Sequence, residues 1–374
     1  MPTLRHRLRQ YPAVALAGPR QCGKTTLARM IGGAYFDIEQ PDERVRLDVS
    51  WEEVTEGRSL IILDEAQTWP QLFPRLRGTI DANRRRRGRF LLLGSVAPAL
   101  MREVSESLAG RLSLLELGPF ALDELPRTSV NQHWLYGGYP DGGILRPSQY
   151  PAWARDYLEL LTQRDLPAWG LAAKPQTTQR LIRMLAASHG QIWNASQIGQ
   201  SLGLSYHTVN SYAEFLEGVF LIRRVPAWSA NLGKRLVRSP RCYWRDSGLL
   251  HALLGATNLQ GLLVQPWVGA SWEGFCIEQI LRTLTYADRR VEPHFFRTTG
   301  GQEIDLVFAL EKQLWAIEFK LTTSPAPQDF EQLNATADLI GATRRALVSR
   351  VTKSTMGKDT ASCSLPDLLA WLLR

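Results

Sequence analysis

Cysteine is scarce, with four in 374 residues. Cys22, Cys242, Cys276 and Cys363 stand far apart with no paired spacing. That argues against a zinc site or a disulfide framework and for a reducing, cytoplasmic setting. Long apolar runs are also missing. None approaches the roughly 20 residues a membrane helix needs, so no membrane is expected as a partner. The opening MPTLRHRLRQYPAVALAG has the outline of a signal peptide, basic and then apolar. The glycine-containing PRQCGKTT directly after it makes the apolar part a strand feeding a loop, not a leader.

Positive charge is in excess, with 44 Lys and Arg against 36 Asp and Glu and a net charge of +8. Such a balance favours an acidic partner, nucleic acid first. Part of it sits in Arg84, Arg85, Arg86, Arg87 and Arg89, a run that reads first as a solvated helix end. The length suits two or three domains, each with its own core.

The first chemical signal is GPRQCGKTT: Gly18, Pro19, Arg20, Gln21, Cys22, Gly23, Lys24, Thr25 and Thr26. It lies between a strand-like AVALA and a helical TLARMIG, the context a phosphate-binding loop requires. Backbone N–H groups and the helix N-terminus would cradle the phosphates of ATP. Lys24 would reach the β- and γ-phosphates, and Thr25 would ligate Mg²⁺. The second signal is SLIILDEAQ, an apolar strand ending in Asp64 and Glu65. Asp64 suits the Mg²⁺ shell, and Glu65 suits polarising the attacking water. A third strand, RFLLLGS, ends in Ser95, placed to sense the γ-phosphate, and SESLAGRL offers Arg111 as a finger into a neighbouring subunit.

The middle of the chain reads as helical. NASQIGQSLGLSYHTVNSYAEFLEG has a turn at Gly203, a cap at Ser205 and two amphipathic helices, a helix-turn-helix. VFLIRRV and the basic GKRLVRSPRCYW after it suggest a wing. His207, Thr208, Asn210 and Ser211 would face a groove, although a recognition helix normally carries more Arg, Lys, Asn or Gln.

In the last third, GQEIDLVFALEKQLWAIEFKL reads as two apolar strands joined at Glu311 and Lys312. A two-residue turn there sets Asp305 opposite Glu318, with Lys320 on the same face as Glu318. Acids embedded in strands this apolar need a cation or hydrogen-bond partners. Asp305 and Glu318 would hold Mg²⁺ or Mn²⁺ through oxygen, with Lys320 orienting a water or neutralising charge. The preceding helix GASWEGFCIEQILRTL offers Glu273 as a third ligand and Glu278 as its alternate. This is the arrangement of metal-dependent phosphodiester hydrolysis.

Together GPRQCGKTTLAR, LIILDEAQ, RFLLLGS, SLAGRLSLLEL, LYGGYPD, WEGFCIEQIL and EIDLVFA…AIEFK resemble the prokaryotic AAA-type ATPases fused to a C-terminal domain of unknown function, family 4143. The resemblance implies an α/β chain in three parts. These are an AAA+ parallel-sheet ATPase domain (1–127), a helical and winged-helix part (128–240), and a PD-(D/E)XK nuclease-like domain (241–374). It also implies a homo-oligomer, a hexameric ring with Arg111 at the subunit boundary, and nuclease positions at Asp305, Glu318 and Lys320. The resemblance itself supplies no substrate; DNA is the expected one, and branched DNA by analogy alone with the resolvases that share that nuclease fold. A nucleotide-gated DNA- or protein-binding regulator, antitoxin-like, whose nuclease fold binds without cutting, is the alternative.

Overall fold

The computed structural model describes residues 2–95, 108–228 and 238–374. They form two compact units: one runs to Pro119 and includes Gly218–Phe220, and the other takes Phe120–Glu217 and Leu221–Arg374.

The first unit is built on five strands: β1 (Ala13–Ala17), β2 (Ala34–Asp37), β3 (Ile61–Asp64), β4 (Phe90–Gly94) and β5 (Leu112–Glu116). All pair in parallel, in the order β2-β3-β4-β1-β5. Every residue of β1, β3 and β4 is buried, as expected when helices cover both faces of a parallel sheet. That is why AVALA, IILD and FLLLG read as unbroken apolar runs. Parallel strands all end on one edge, so the segments leaving β1, β3 and β4 meet there.

The arginine run is tied down locally. Arg84 donates to Asp81, Arg86 to the backbone carbonyls of Thr55 and Glu56, and the buried Arg89 to those of Thr79 and Thr55. These bonds tie the end of the helix Leu72–Ala82 and the start of β4 to the end of the helix Trp51–Glu56.

In the second unit, β6 (Ile222–Val225) and β7 (Arg241–Trp244) form an antiparallel pair. A mixed sheet of six comes next: β8 (His294–Arg297), β9 (Glu303–Leu310), β10 (Gln313–Phe319), β11 (Arg344–Ser349), β12 (Thr355–Met356) and β13 (Thr360–Ser364). Their order is β12-β13-β11-β10-β9-β8. The β9–β10 turn is the two-residue one read from sequence. Glu311 and Lys312 have φ of 52° and 65°, the left-handed pair that a type I′ hairpin demands. The register runs from Gln313 against Leu310 to Ile317 against Leu306. One more step brings Glu318 opposite Asp305.

The helices Ala195–Leu202 and Tyr206–Gly218 are joined through Gly203 at φ 68°, and the Ser205 hydroxyl accepts from the Thr208 N–H. His207 and Ser211 are exposed. Asn210 instead accepts from the Trp193 indole at 2.8 Å, which commits it to the fold. Residues 229–237, which include the start of the basic GKRLVRSP, lie outside the described part.

One core spans this unit, from Leu122 and Trp134 through Tyr243, Trp272 and Phe308 to Leu372. The boundary read at residue 240 therefore does not separate two cores, because Leu122, Trp134 and Val225 before it pack in the same core as Tyr243 and Trp272 after it. No helix among the described residues is long and apolar enough to cross a membrane.

The helix Val268–Tyr286 carries the buried Glu278, which contacts Arg223, Arg245 at 3.2 Å and Arg282 at 4.0 Å. Burial alone would raise its carboxyl, but the charges and bonds of the three arginines hold it at about 2. Stranding buried arginines costs about 3–5 kcal/mol, so Glu278→Gln should lower the urea midpoint by a corresponding amount. The carboxylate's contribution is full above its unfolded value of about 4.3 and is lost as pH falls toward the folded one. Wild-type stability should thus drop on acidification through that window more steeply than the variant's, as urea titrations between about pH 5 and 2.5 would measure.

Candidate functional site

The phosphate-loop residues converge as the spacing demands. Gly18 follows β1 so closely under β5 that a Cβ there would lie 2.0 Å from the Leu117 carbonyl oxygen. Gly23 caps the helix Lys24–Ile31 with φ 101°. No other residue satisfies both positions without strain. Lys24 is buried, and its ammonium donates to the Gly18 and Pro19 carbonyls at 2.9 and 2.8 Å. The Cys22 thiol donates to the Leu117 carbonyl at 3.3 Å, so it packs the loop against the strand edge.

From β3, Asp64 meets the loop. The Thr25 hydroxyl donates to Asp64 Oδ2 at 2.7 Å, and the Glu65 N–H donates to Oδ1 at 3.0 Å. Thr25 and Asp64 are thus paired where they would share the shell of a nucleotide-bound Mg²⁺. Glu65 sits in the left-handed region at φ 49°, a conformation that costs a non-glycine residue about 1–3 kcal/mol and persists where surroundings enforce it. Here Ser95 enforces it, donating to Glu65 Oε1 at 2.6 Å, together with Gln67 on the other oxygen. Asp64, Glu65 and Ser95 are therefore one constellation at the ends of β3 and β4.

Tyr35 was not among the residues read from sequence, and it belongs to this site. Its hydroxyl donates to Asp64 Oδ2 at 2.7 Å, and the Arg29 guanidinium lies 4.6 Å from its ring centre. Burial and the Asp64 carboxylate raise its pKa well above the ordinary phenol value, so it stays a donor. The signal was a tyrosine on β2 beside the Asp64 strand, and nothing local marks it. Arg111 is held by Asp81 through two bonds of 2.8 Å. Its bonds and those of Arg84 keep the Asp81 carboxyl well below the usual range. Of SESLAGRL, residues 105–107 lie outside the described part.

The second constellation lines a cleft of about 750 Å³ in the C-terminal unit, whose wall includes Glu273, Glu303, Asp305, Glu318, Lys320 and Asp329. Lys320 donates to Glu318 Oε1 at 2.9 Å, and Asp305 Oδ2 accepts the Phe319 N–H at 3.0 Å. The unexpected member is Arg241, at the start of β7. It reaches Glu273 at 3.0 Å and Asp305 at 3.4 Å, and it also bonds Glu303. Glu273 further accepts from the Tyr243 hydroxyl.

Glu278 is a correction. Its carboxylate is enclosed by Arg223, Arg245 and Arg282 and does not line the cleft, since it faces away from Glu273 on the same helix. Burial raises the Asp305 carboxyl, while burial and the neighbouring Asp305 raise those of Glu273 and Glu318. Burial works against the Lys320 ammonium, but the Glu318 carboxylate outweighs it and raises its value.

Among the described residues no group of three or more His, Cys, Asp or Glu is arranged to hold a metal ion. The donor set still suits a hard cation. Glu318 Oε2 is buried without a partner, and Mg²⁺ keeps several of its waters, so one or two carboxylates suffice. Asp305 and Glu318 would be those two.

An AAA-domain family model matches residues 10–126, a domain of unknown function (DUF8612) matches 127–260, and another (DUF4143) matches 268–368. The N-terminal unit is thus an AAA-family ATPase-like domain. A structure of protein VC1899 from Vibrio cholerae matches at 14% identity over 96% of each chain, with a TM-score of 0.20, too low to inform the fold. Uncharacterized protein Mb2031c of Mycobacterium bovis and Uncharacterized protein Rv2008c of Mycobacterium tuberculosis are each 37% identical over 328 residues, which cover 86% of this chain and 73% of theirs. The chain belongs to the family of these mycobacterial proteins, with an AAA domain followed by DUF8612 and DUF4143 regions.

Proposed function

We propose that the protein hydrolyses ATP in its N-terminal domain and uses a metal-dependent phosphodiester site in its C-terminal domain to process nucleic acid, DNA in the first instance. One observation carries the second half. Asp305 and Glu318 oppose each other with Lys320 on the same face, in a cleft whose wall is acidic. Acidic walls repel phosphates, so a cleft like this takes a nucleic acid only with a cation present.

In the N-terminal site the loop N–H groups and Lys24 bind phosphates, and Thr25 and Asp64 hold the Mg²⁺ that comes with them. Glu65 orients the attacking water, positioned by Ser95 and Gln67. In the C-terminal site Asp305 and Glu318 hold Mg²⁺ or Mn²⁺, which when bound supplies Lewis-acid stabilisation of charge at phosphorus. Lys320 neutralises charge beside it. By the resemblance to ring-forming relatives the protein assembles into a homo-oligomer, and Arg111 reaches a neighbour's nucleotide after leaving Asp81. The helices Ala195–Leu202 and Tyr206–Gly218 with β6 and β7 serve as a winged-helix surface, with His207 and Ser211 outward.

A second reading, a nucleotide-gated regulator whose nuclease-like fold binds without cutting, is favoured by Arg241, because its guanidinium takes the place beside Glu273 and Asp305 that a catalytic ion could use.

Lys24→Ala should abolish nucleotide binding, whereas Glu65→Gln should bind ATP but turn it over about 100-fold more slowly or worse, the scale of a lost general base. Binding of a fluorescent ATP analogue and phosphate release measure the two; near-wild-type turnover in Glu65→Gln removes its assignment. If Arg111 acts across a subunit boundary, Arg111→Ala should keep binding and lose hydrolysis, and adding Lys24→Ala subunits should restore part of it. An active monomer at every concentration rules out the ring. For the C-terminal site, Asp305→Asn with Glu318→Gln should end Mn²⁺-dependent cleavage of linear, forked and four-way DNA while ATPase activity persists. If the wild type cuts none of these substrates with either metal yet still binds them, the second reading stands.

A further inference from the structure

We infer that Arg241 is the built-in second cation of the C-terminal cleft: it holds Glu273 and Asp305 where a second metal ion would otherwise bind, and so limits the cleft to one divalent ion at Asp305 and Glu318. The inference rests on the metal reading of that cleft and specifies its stoichiometry. It also reassigns Glu273, from a metal ligand to the anchor of an arginine.

The side chain of Arg241 is only 7% exposed, so it is part of the wall and cannot reach out to a substrate. Its Nη1 is shared between Glu273 Oε1 at 3.0 Å and Asp305 Oδ1 at 3.4 Å, and Nη2 bonds Glu303. The guanidinium also lies 5.0 Å from the centre of the Phe295 ring. A planar cation bridging three carboxylates over an aromatic face has little freedom to leave. Glu273 is occupied from a second side by the Tyr243 hydroxyl on the same oxygen.

Charge balance agrees. Glu273, Glu303, Asp305 and Glu318 face Arg241 and Lys320, which leaves two negative charges when all are ionised. Arg297 at 3.5 Å from Glu303 offsets Asp329, which also lines the cleft. One divalent ion balances the cluster, and two would over-fill it. Glu318 Oε2, buried and unpartnered, is an oxygen open to that ion.

The test counts bound Mn²⁺ on the full, nucleotide-free chain by electron paramagnetic resonance and calorimetry, with the Asp305→Asn, Glu318→Gln variant as the baseline. Wild type and Arg241→Lys should each bind one ion above baseline, and Arg241→Gln should bind two. Should Arg241→Gln fail to fold, Glu273→Gln decides. It should keep one ion, weakened by no more than the ~10- to 100-fold that an outer partner costs. Abolished binding in Glu273→Gln makes Glu273 a ligand and overturns the inference. So does a single ion of unchanged affinity in a folded Arg241→Gln, although the metal reading of the cleft survives that result. No ion above baseline in the wild type defeats the metal reading itself. If Arg241→Gln then gains one, Arg241 is a block and not a second cation.

Discussion

A carboxylate buried at the end of an apolar strand or on a buried helix face has to be given a partner, because an unpaired charge there costs more than most single contacts return. This chain meets that constraint in three different ways, and its candidate chemistry depends on which way each acid was treated. Asp64 is satisfied by hydroxyls, from Thr25 and Tyr35, and by a backbone N–H. Glu278 is satisfied by three arginines. Asp305 is satisfied by the Phe319 N–H and by an arginine it shares with other acids. Hydroxyl partners leave an acid its negative charge for an incoming cation, whereas an arginine cage removes it from use. Glu278 is therefore structural for the same reason that Asp64 is available, although both are buried acids.

Sequence reading reached the elements whose chemistry is local. The phosphate loop needs a strand before it, two glycines within it and a helix after it, all within about 20 residues. The β9–β10 hairpin was legible for a similar reason. A two-residue turn at Glu311 and Lys312 admits one register, and that register alone brings Asp305 and Glu318 together. The arginine run was legible as a helix end because its partners, Asp81 and the carbonyls of the neighbouring helix, are of the kind such ends commonly use.

The features that stayed hidden depend on pairs distant in sequence. Arg241 precedes Glu273 by 32 residues and Asp305 by 64, and it sits in a basic stretch that looked like a wing. Nothing in its neighbours distinguishes an arginine aimed at an acid cluster from one aimed at a phosphate. Tyr35 is 29 residues from Asp64 and reaches it only because β2 lies next to β3 in the sheet. The three arginines around Glu278 come from β6, from the end of β7 and from the next turn of its own helix. Two acids five residues apart on one helix therefore looked interchangeable in sequence. In the fold they face opposite ways, one toward the cleft and one toward its arginines. The boundary read at residue 240 has the same origin, since composition changes there while the core continues through it.

The internal partners also decide what ligand binding costs at each site. Lys24 already donates to two loop carbonyls, so a phosphate that reaches it exchanges one set of hydrogen bonds for another. The net gain of such an exchange is a fraction of the gross bond energy, about 1 kcal/mol per bond and somewhat more where charge assists. Much of the affinity must then come from the many loop N–H groups acting together and from the metal between Thr25 and Asp64. In the C-terminal cleft the exchange is different. Lys320 and Arg241 leave Glu318 Oε2 without a partner, so a cation arriving there displaces no protein donor from that oxygen and relieves repulsion between Asp305 and Glu318. A site that exchanges partners responds weakly to any one contact, whereas a site with a single unpaired buried oxygen depends on one ion. The N-terminal site should therefore tolerate loss of a peripheral donor such as Tyr35 better than the cleft tolerates loss of Glu318, because a cation in the cleft would rest on the unpartnered Glu318 oxygen itself.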